Sequence, residues 1–528
     1  MGITRLTFIT SNAIKLAHAR YICNDYSVEI VQHKKIYYGI GYNEPRINNR
    51  DDLLKSSIED AILRWKKNAS EQQFFFIEDT SVVIDALSTE ENEVPGVDVK
   101  YWMKDMTFEQ LDASLKERGN NRKATVFSHV ILFLTKNLQE EGKPPYIVFK
   151  NCTHGSIVTM ETDFETNILY PWLDNKSFNK WFVPNGYDKP ISQLNIEEAN
   201  KVDFRRKSIL QMLNYLENKK QISQCKGVAP EFTPTLDFKE RFIVCGPTCA
   251  GKSTMGQYLL DKYGYYHLEA SDFMSLCYYE TCGTTFKIDK NLFAAKLLKI
   301  NPIVVVQRLC RYMQVHKIYN HFVITGFRNK EEIYTFIQLC PVEHSNIFYI
   351  DAEYQRRYKR WINRRRDNIE YSENEFMNIN TIQQEMGVND IAQIDSIQVI
   401  SNNSNDVNEY YNDINSIFKK DKMALPFNLI SVKDVTKIGL ENAILIALMQ
   451  KYSDNSYYTT TEIAHLINNF FAYIKKNKNN ISRYFNQSYY PYYEIKKESD
   501  GTLKYKLSPT GYSESILVIN RLLNINNY

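Results

Sequence analysis

The chain has 528 residues, 43% of them hydrophobic, and its 65 Lys+Arg nearly balance its 62 Asp+Glu, for a net charge of +3. That balance argues neither for a nucleic-acid coat nor for an acidic tail, and a mean hydropathy of −0.43 with no long apolar run excludes a membrane span. Nine cysteines without a CxxC pair fit reduced thiols, and Met1–Thr10 runs straight into a strand pattern and not a leader, so a cytoplasmic protein is expected.

At about 150 residues per domain the length suggests three domains, and the pattern divides accordingly. Leu6–Ile9 and Phe74–Ile77 read as buried strands, Leu53–Trp65 and Phe108–Arg118 as helices, and Val126–Leu134 as a third strand. Together they define a domain over residues 1–220. Gly227, Pro230 and Pro234 mark a linker over 221–237. A second α/β unit, 238–420, opens on the strand Arg241–Cys245. Lys419–Lys422 breaks it from a smaller α+β segment, 421–528, rich in Tyr and Asn.

Three segments of the first domain carry chemistry. Thr10-Ser-Asn12-Ala-Ile-Lys15 sits at a strand-to-helix turn, where exposed N–H groups and a lysine suit an anion. Glu78-Asp79-Thr80 ends a strand and offers hard oxygen ligands and a base. Pro95-Gly96 leads to Lys100 on a turn. By residue type alone these groups also read as surface ion pairs. Together they resemble the inosine triphosphate pyrophosphatase (HAM1-like) family, as do Phe182-Val-Pro184-Asn-Gly186-Tyr187 and Glu197–Val202.

The resemblance spans nearly all of residues 3–217. It implies an elongated α/β domain with a bent mixed sheet, homodimerisation, and Mg²⁺-dependent hydrolysis of a (deoxy)nucleoside triphosphate to monophosphate and pyrophosphate. By position it implies that Thr10, Asn12, Lys15 and Lys100 hold the triphosphate. Asp79 becomes metal ligand or general base, and Glu44 either the second metal carboxylate or a turn residue. The base side departs from the family. Its F-G-W-D falls on Lys176-Ser177-Phe178-Asn179 and its S-H-R on Asp203-Phe204-Arg205. Phe178, Asn179 and Arg205 are the candidate substrate-binding residues, with Phe178 as a stacking surface and Asp203 as an added acceptor. Because a buried pocket discriminates by hydrogen-bond match, a triphosphate other than ITP or XTP is expected to be the best substrate. A degenerate site that binds without hydrolysing is the alternative.

In the second unit Gly246-Pro-Thr-Cys-Ala-Gly251-Lys252-Ser253 matches GxxxxGK[ST], whose backbone wraps phosphates while the lysine and serine serve phosphate and Mg²⁺. The order of the elements after this loop resembles that of P-loop nucleotide kinases of the dephospho-CoA kinase and adenylate kinase group. A strand at Tyr266–Leu268 leads to Asp272, a third ends in Gly326-Phe-Arg328-Asn329, an arginine run includes Arg360 and Arg364, and Ile397–Ile400 precedes Asn402. That resemblance implies a parallel α/β domain with ATP as phosphoryl donor on Gly246, Gly251, Lys252, Ser253 and Thr254. Arg360 and Arg364 would close over the phosphates, and a nucleoside-monophosphate-type acceptor would take the phosphate. Asp272 either orients the acceptor or caps the helix after it, and the arginine run reads equally as a solvated helix face.

The last segment shows helices near 440–452 and 459–467 and a third through Arg483, then a hairpin turning at Asp500-Gly501. This resembles a winged helix. Its lysines suit a phosphate backbone, and protein docking is an equal reading. The sum is a bifunctional nucleotide-metabolism enzyme, with a nucleotide-sensing regulatory or defence protein as the alternative.

Overall fold

The computed structural model describes residues 4–33, 50–68, 73–224, 240–316, 321–340, 344–364, 372–418 and 432–523. The chain forms two compact units, Met1–Gly227 and Val228–Tyr528. The second and third sequence-defined segments therefore share one unit. Most of the linker, including Gly227, Pro230 and Pro234, lies outside the described residues.

The first unit is built on a mixed sheet. Its strands are β1 (Thr4–Ile9), β2 (Val28–His33), β3 (Phe74–Ile84), β4 (Pro95–Gly96), β5 (Lys123–Phe133), β6 (Tyr146–Ile157) and β7 (Phe182–Pro184). Among the described residues the order is β2-β1-β3-β5-β6-β7, with β4 on β3. β1 runs parallel to β2 and β3, and the long strands β3, β5 and β6 pair antiparallel. The apolar run Phe74–Ile77 is buried on both faces, as a central strand requires. Phe74 and Phe76 join Leu6, Phe8 and the helices Ala13–Cys23 and Phe204–Asn218. Phe75 and Ile77 join Ile58 and Trp65 of the helix Arg50–Asn68 on the other side.

The second unit holds a parallel sheet of β8 (Glu240–Cys245), β9 (Tyr266–Glu269), β10 (Phe322–Thr325), β11 (His344–Asp351) and β12 (Ile397–Ser401). Its order is β12-β11-β8-β10-β9. From β8 the chain goes to one side, through β9 and β10, and then crosses to β11 and β12. The C-terminal end of β8 is therefore the switch point at which open α/β sheets bind ligands. The remainder forms helices Leu440–Met449, Thr460–Phe470 and Lys478–Gln487, an antiparallel hairpin of β13 (Tyr493–Lys497) and β14 (Leu503–Leu507), and the helix Pro509–Leu522. Tyr458 bridges Tyr505 of the hairpin. The final helix packs on β9, the sheet's edge strand, which covers an edge that would otherwise be open. Among the described residues no helix is long and apolar enough to cross a membrane.

Candidate nucleotide sites

In the first unit the turn after β1 is shaped by its own polar side chains. Asn12 Oδ1 accepts from the Ile14 and Lys15 N–H groups at 2.9 and 3.1 Å, starting the helix Ala13–Cys23, and Thr10 Oγ1 accepts from Asn12 N at 3.1 Å. Lys15 is thereby set in the first helical turn. Its Nζ lies 2.9 Å from Glu78 Oε2 and donates to the Glu78 carbonyl at 3.2 Å.

Glu78 is the hub of this cluster. It is buried, and its Oε1 accepts from Thr80 Oγ1 at 2.7 Å and Ser128 Oγ at 2.9 Å. Its Oε2 also lies 3.2 Å from Arg205 Nε. Burial alone would raise this carboxyl; the charges of Arg205 and Lys15 outweigh it and hold it well below the ordinary 4.5. Arg205 in turn donates to Thr80 Oγ1 at 2.9 Å and lies 3.2 Å from His18 Nδ1.

Asp79, the next residue, points the other way. Side chains alternate along a strand, so Glu78 follows Phe74 and Phe76 while Asp79 follows Phe75 and Ile77. Asp79 is half-buried and pairs across the ladder with His129. The two acids that read as a pair in the sequence serve opposite faces. Lys100 is exposed in the helix Val99–Asp105, just beyond β4. Glu44 lies outside the described residues.

On the base side the structure differs from expectation. Phe178 is 5% exposed and packs in the apolar core near Phe182 and Trp102, so its ring is core and not an open stacking surface. Asn179 beside it is half-buried. Asp203 Oδ1 caps the helix Phe204–Asn218 through the Arg205 and Arg206 N–H groups at 2.9 and 3.2 Å, and Oδ2 lies 2.6 Å from His18 Nε2. Both its oxygens are occupied within the protein. His18 itself stacks on Trp172 at 4.4 Å and 6°. Sequence patterns do not single out Glu78 as a hub, nor His18 and Trp172 as members of the cluster. One signal was available: His18 follows Lys15 by three positions on one helix, a spacing that places both on one face.

Replacing Glu78 by Gln leaves the buried Arg205 guanidinium and the half-buried Lys15 ammonium without their shared counter-charge. We expect a loss of about 3–5 kcal/mol at pH 7, the scale for removing one partner of a buried ion pair, read by urea unfolding. The folded carboxyl is depressed, so its contribution is full above the ordinary 4.5 and declines as pH falls below it. The gap between wild type and variant should narrow in acid, and a gap independent of pH would contradict a role for the Glu78 charge.

The second unit's candidate site is the loop after β8. Gly246 and Gly251 adopt φ of 136° and 113°. A Cβ on Gly251 would meet Asn402 Nδ2 at 2.3 Å, and one on Gly246 would meet the Ile350 carbonyl at 2.4 Å, so both positions demand glycine. Lys252 Nζ donates to the Pro247 carbonyl at 2.6 Å. Ser253 Oγ donates to Glu269 Oε2 at 2.7 Å, and Thr325 Oγ1 donates to the same oxygen at 2.8 Å. Burial would raise Glu269, but His267, Ser253, Thr325 and Lys252 together keep it below its ordinary value. Thr254 is half-buried in the first turn of the helix Lys252–Tyr263.

Two expectations meet other partners here. Asp272 neither caps its own helix, Ala270–Cys282, nor opens to solvent. It is 8% exposed, and its Oδ2 accepts from Thr510 N at 3.0 Å in the first turn of the helix Pro509–Leu522. Burial and then Glu269 push its carboxyl well above the usual range. Thr510 Oγ1 also accepts from Glu269 N at 3.1 Å. Arg360 donates to the Asn402 and Ser404 carbonyls at 2.9 and 3.1 Å and reaches those of Cys249 and Ala250 at 3.4 and 3.5 Å. In this arrangement it braces the loop from behind, because buried carbonyls need donors. The Arg364 side chain lies outside the described residues. Glu269, absent from the candidates drawn from sequence, is the acid nearest Ser253; its signal was a carboxylate at a strand's C-terminal end.

The first unit is thus a mixed α/β domain with a charged cluster at a strand-to-helix turn. Residues 6–215 match the Ham1 family model, and the unit carries a Ham1-like domain. A dITP/XTP pyrophosphatase of Thermococcus kodakarensis is 24% identical over 213 residues, covering 40% of this chain and 97% of that protein. An inosine triphosphate pyrophosphatase of Scheffersomyces stipitis is 26% identical over 219 residues, covering 40% of this chain and 98% of its own. The solved structure of a HAM1 protein from Coxiella burnetii aligns with 41% of this chain and 99% of its own, at 17% identity and a TM-score of 0.30.

Proposed function

We propose that the first unit hydrolyses a (deoxy)nucleoside triphosphate to monophosphate and pyrophosphate. The observation that carries this is the Ham1-like domain over residues 6–215, with Lys15 fixed in the first helical turn and its Nζ on the Glu78 carbonyl, next to Asp79. β3 runs on to Ile84, so Asp79 lies within the strand and not, as the sequence suggested, at its end. Lys15 and Lys100 supply positive charge for the phosphate chain, and Thr10 and Asn12 shape the turn that receives it, while Arg205 is engaged by Glu78, Thr80 and His18. Asp79 takes the proton of the attacking water, and its carboxylate would also serve as a ligand to Mg²⁺. Water adds its oxygen to the α-phosphorus as the bond to the α–β bridging oxygen breaks, and pyrophosphate leaves. Mg²⁺ supplies charge neutralisation on the phosphates. The hard carboxylate of Asp79 suits it, and Glu44 is proposed as its second ligand.

The expectation of a base other than those in ITP or XTP leaned on Phe178, Asn179, Asp203 and Phe204; of these Phe204 is buried in the core and Asn179 is half-buried. Phe178 lies in the core and both Asp203 oxygens are engaged, so neither residue is free to read a different base. The relatives are named for dITP, XTP and ITP, so these are the proposed substrates here. A panel of (d)NTPs with Mg²⁺, scored by pyrophosphate release, should rank dITP or XTP at or near the top. Release from none of them would remove the hydrolase reading.

For the second unit we propose ATP binding and phosphoryl transfer to a nucleotide-type acceptor. Support comes from the glycine-forced loop at the sheet's switch point and from Ser253, which donates its proton to Glu269 and keeps lone pairs for Mg²⁺. Lys252 faces the same loop. The helix–hairpin–helix order with the Tyr458–Tyr505 bridge supports a winged-helix segment with a nucleic acid or protein as partner. One contact favours the second reading, a nucleotide sensor. Thr510 touches both Glu269 and Asp272, so the last helix begins beside the acid that holds Ser253.

A further inference from the structure

The Lys15 cluster continues beyond the residues any phosphate would touch. Arg205 spends its guanidinium in three directions: Nε toward Glu78, Nη2 to Thr80, and Nη1 to His18 Nδ1 at 3.2 Å. Arginine has donors and no acceptor. His18 Nδ1 must therefore carry a lone pair, and the ring proton sits on Nε2, 2.6 Å from Asp203 Oδ2. The geometry alone fixes one tautomer of a neutral ring. Burial drives His18 the same way, against the pull of Asp203. The ring is locked in plane by Trp172, stacked at 4.4 Å. The charged groups facing His18 are Asp203 from the cap before the helix Phe204–Asn218, Arg205 from that helix and Glu78 from β3.

We propose that His18, as the neutral Nε2–H tautomer between Asp203 and Arg205, is a positioning residue that orients Arg205 and, through their shared partner Glu78, sets Lys15 for the substrate's phosphate chain. Glu78 Oε2 is the atom that Lys15 and Arg205 share. A guanidinium released from His18 can turn about that oxygen and displace the ammonium. The chain Asp203–His18–Arg205–Glu78–Lys15 thus joins a helix cap to the phosphate side of the pocket. What the place requires is one donor and one acceptor on opposite edges of the side chain, which a neutral histidine ring presents.

The inference rests on the reading of Lys15 as a triphosphate ligand, and the test separates the two. In the full chain, His18→Phe keeps a ring on Trp172 and removes both nitrogens. His18→Gln keeps an amide that donates to Asp203 and accepts from Arg205. Asp203→Asn keeps a side chain that caps the helix but presents a donor to the Nε2–H. Each is measured for pyrophosphate release and for Mg²⁺-dependent binding of an α,β-methylene nucleoside triphosphate, which cannot be cleaved. Losing one charge-assisted hydrogen bond should raise KM and the Kd of the inert probe about tenfold in His18→Phe and Asp203→Asn, while His18→Gln stays within about threefold of wild type. ¹⁵N NMR of the wild type should show His18 neutral with its proton on Nε2. Overturning results are unchanged KM and Kd in folded His18→Phe, a His18→Gln defect as large as that of Phe, or a proton on Nδ1. Wild type that fails to bind the inert probe would instead remove the triphosphate reading, and this inference with it.

Discussion

Asp79→Asn should leave the first unit folded and lower pyrophosphate release by about 10²–10⁴-fold, the range for removing a positioned general base. The amide is isosteric, so packing beside His129 on β5 is kept. It carries no charge to hold a cation and accepts no proton from water at neutral pH. Asp79 is half-buried on the face opposite Glu78, so the change leaves the Lys15–Glu78–Arg205 cluster intact. Binding of an uncleavable triphosphate should therefore fall far less than turnover. Circular dichroism and urea unfolding check the fold, and pyrophosphate release checks the chemistry. Undiminished hydrolysis would remove Asp79 from the mechanism and leave Glu78, already saturated by its partners, as a poor replacement.

The contrast between those two acids shows what the sequence could and could not convey. Glu78 and Asp79 follow Phe74-Phe-Phe-Ile77, a run apolar at every position, so no alternation reveals which residue faces which side. The register of β3 against β5 settles it, and that information is tertiary. The glycine loop was legible because its constraint is local: Gly246 and Gly251 meet neighbouring backbone and side chains that leave no room for a Cβ. Lys15 was legible for the same reason, since its turn is capped two and three residues away. His18 and Arg205 stand 187 positions apart, and Asp272 and Thr510 stand 238 apart. No local pattern forecasts such pairs. Asp272 has two local roles open to it by sequence, and a helix from the far end of the chain claims it instead. Arg360 reads by sequence as part of a solvated face or a lid. The loop carbonyls it meets come from segments before and after it in sequence, which only the assembled sheet brings together.

Lys252→Ala should abolish ATP-dependent phosphoryl transfer while sparing pyrophosphate release. In the proposed kinase reading its ammonium is a charge beside the phosphates, and removing one such group costs about 10²–10³-fold in rate. In the structure Nζ donates to the Pro247 carbonyl, which holds the side chain over the loop. Losing that bond should cost about 1 kcal/mol of stability, a net worth typical of one hydrogen bond. The loop itself keeps its shape, because Arg360, Asn402 and Tyr410 bind its carbonyls independently of Lys252. The variant should therefore fold, retain the Ser253–Glu269 pair and lose affinity for MgATP. The first unit is a compact unit with its own core and its own charged cluster, so its turnover of dITP or XTP should stay within about twofold if the two activities are independent. The measurement is transfer from labelled ATP to a panel of nucleoside monophosphates, run beside pyrophosphate release on the same preparation. If both activities fell together without unfolding, the picture of two independent enzymes on one chain would give way to a single coupled machine. In that machine nucleotide on the loop would govern hydrolysis in the first unit.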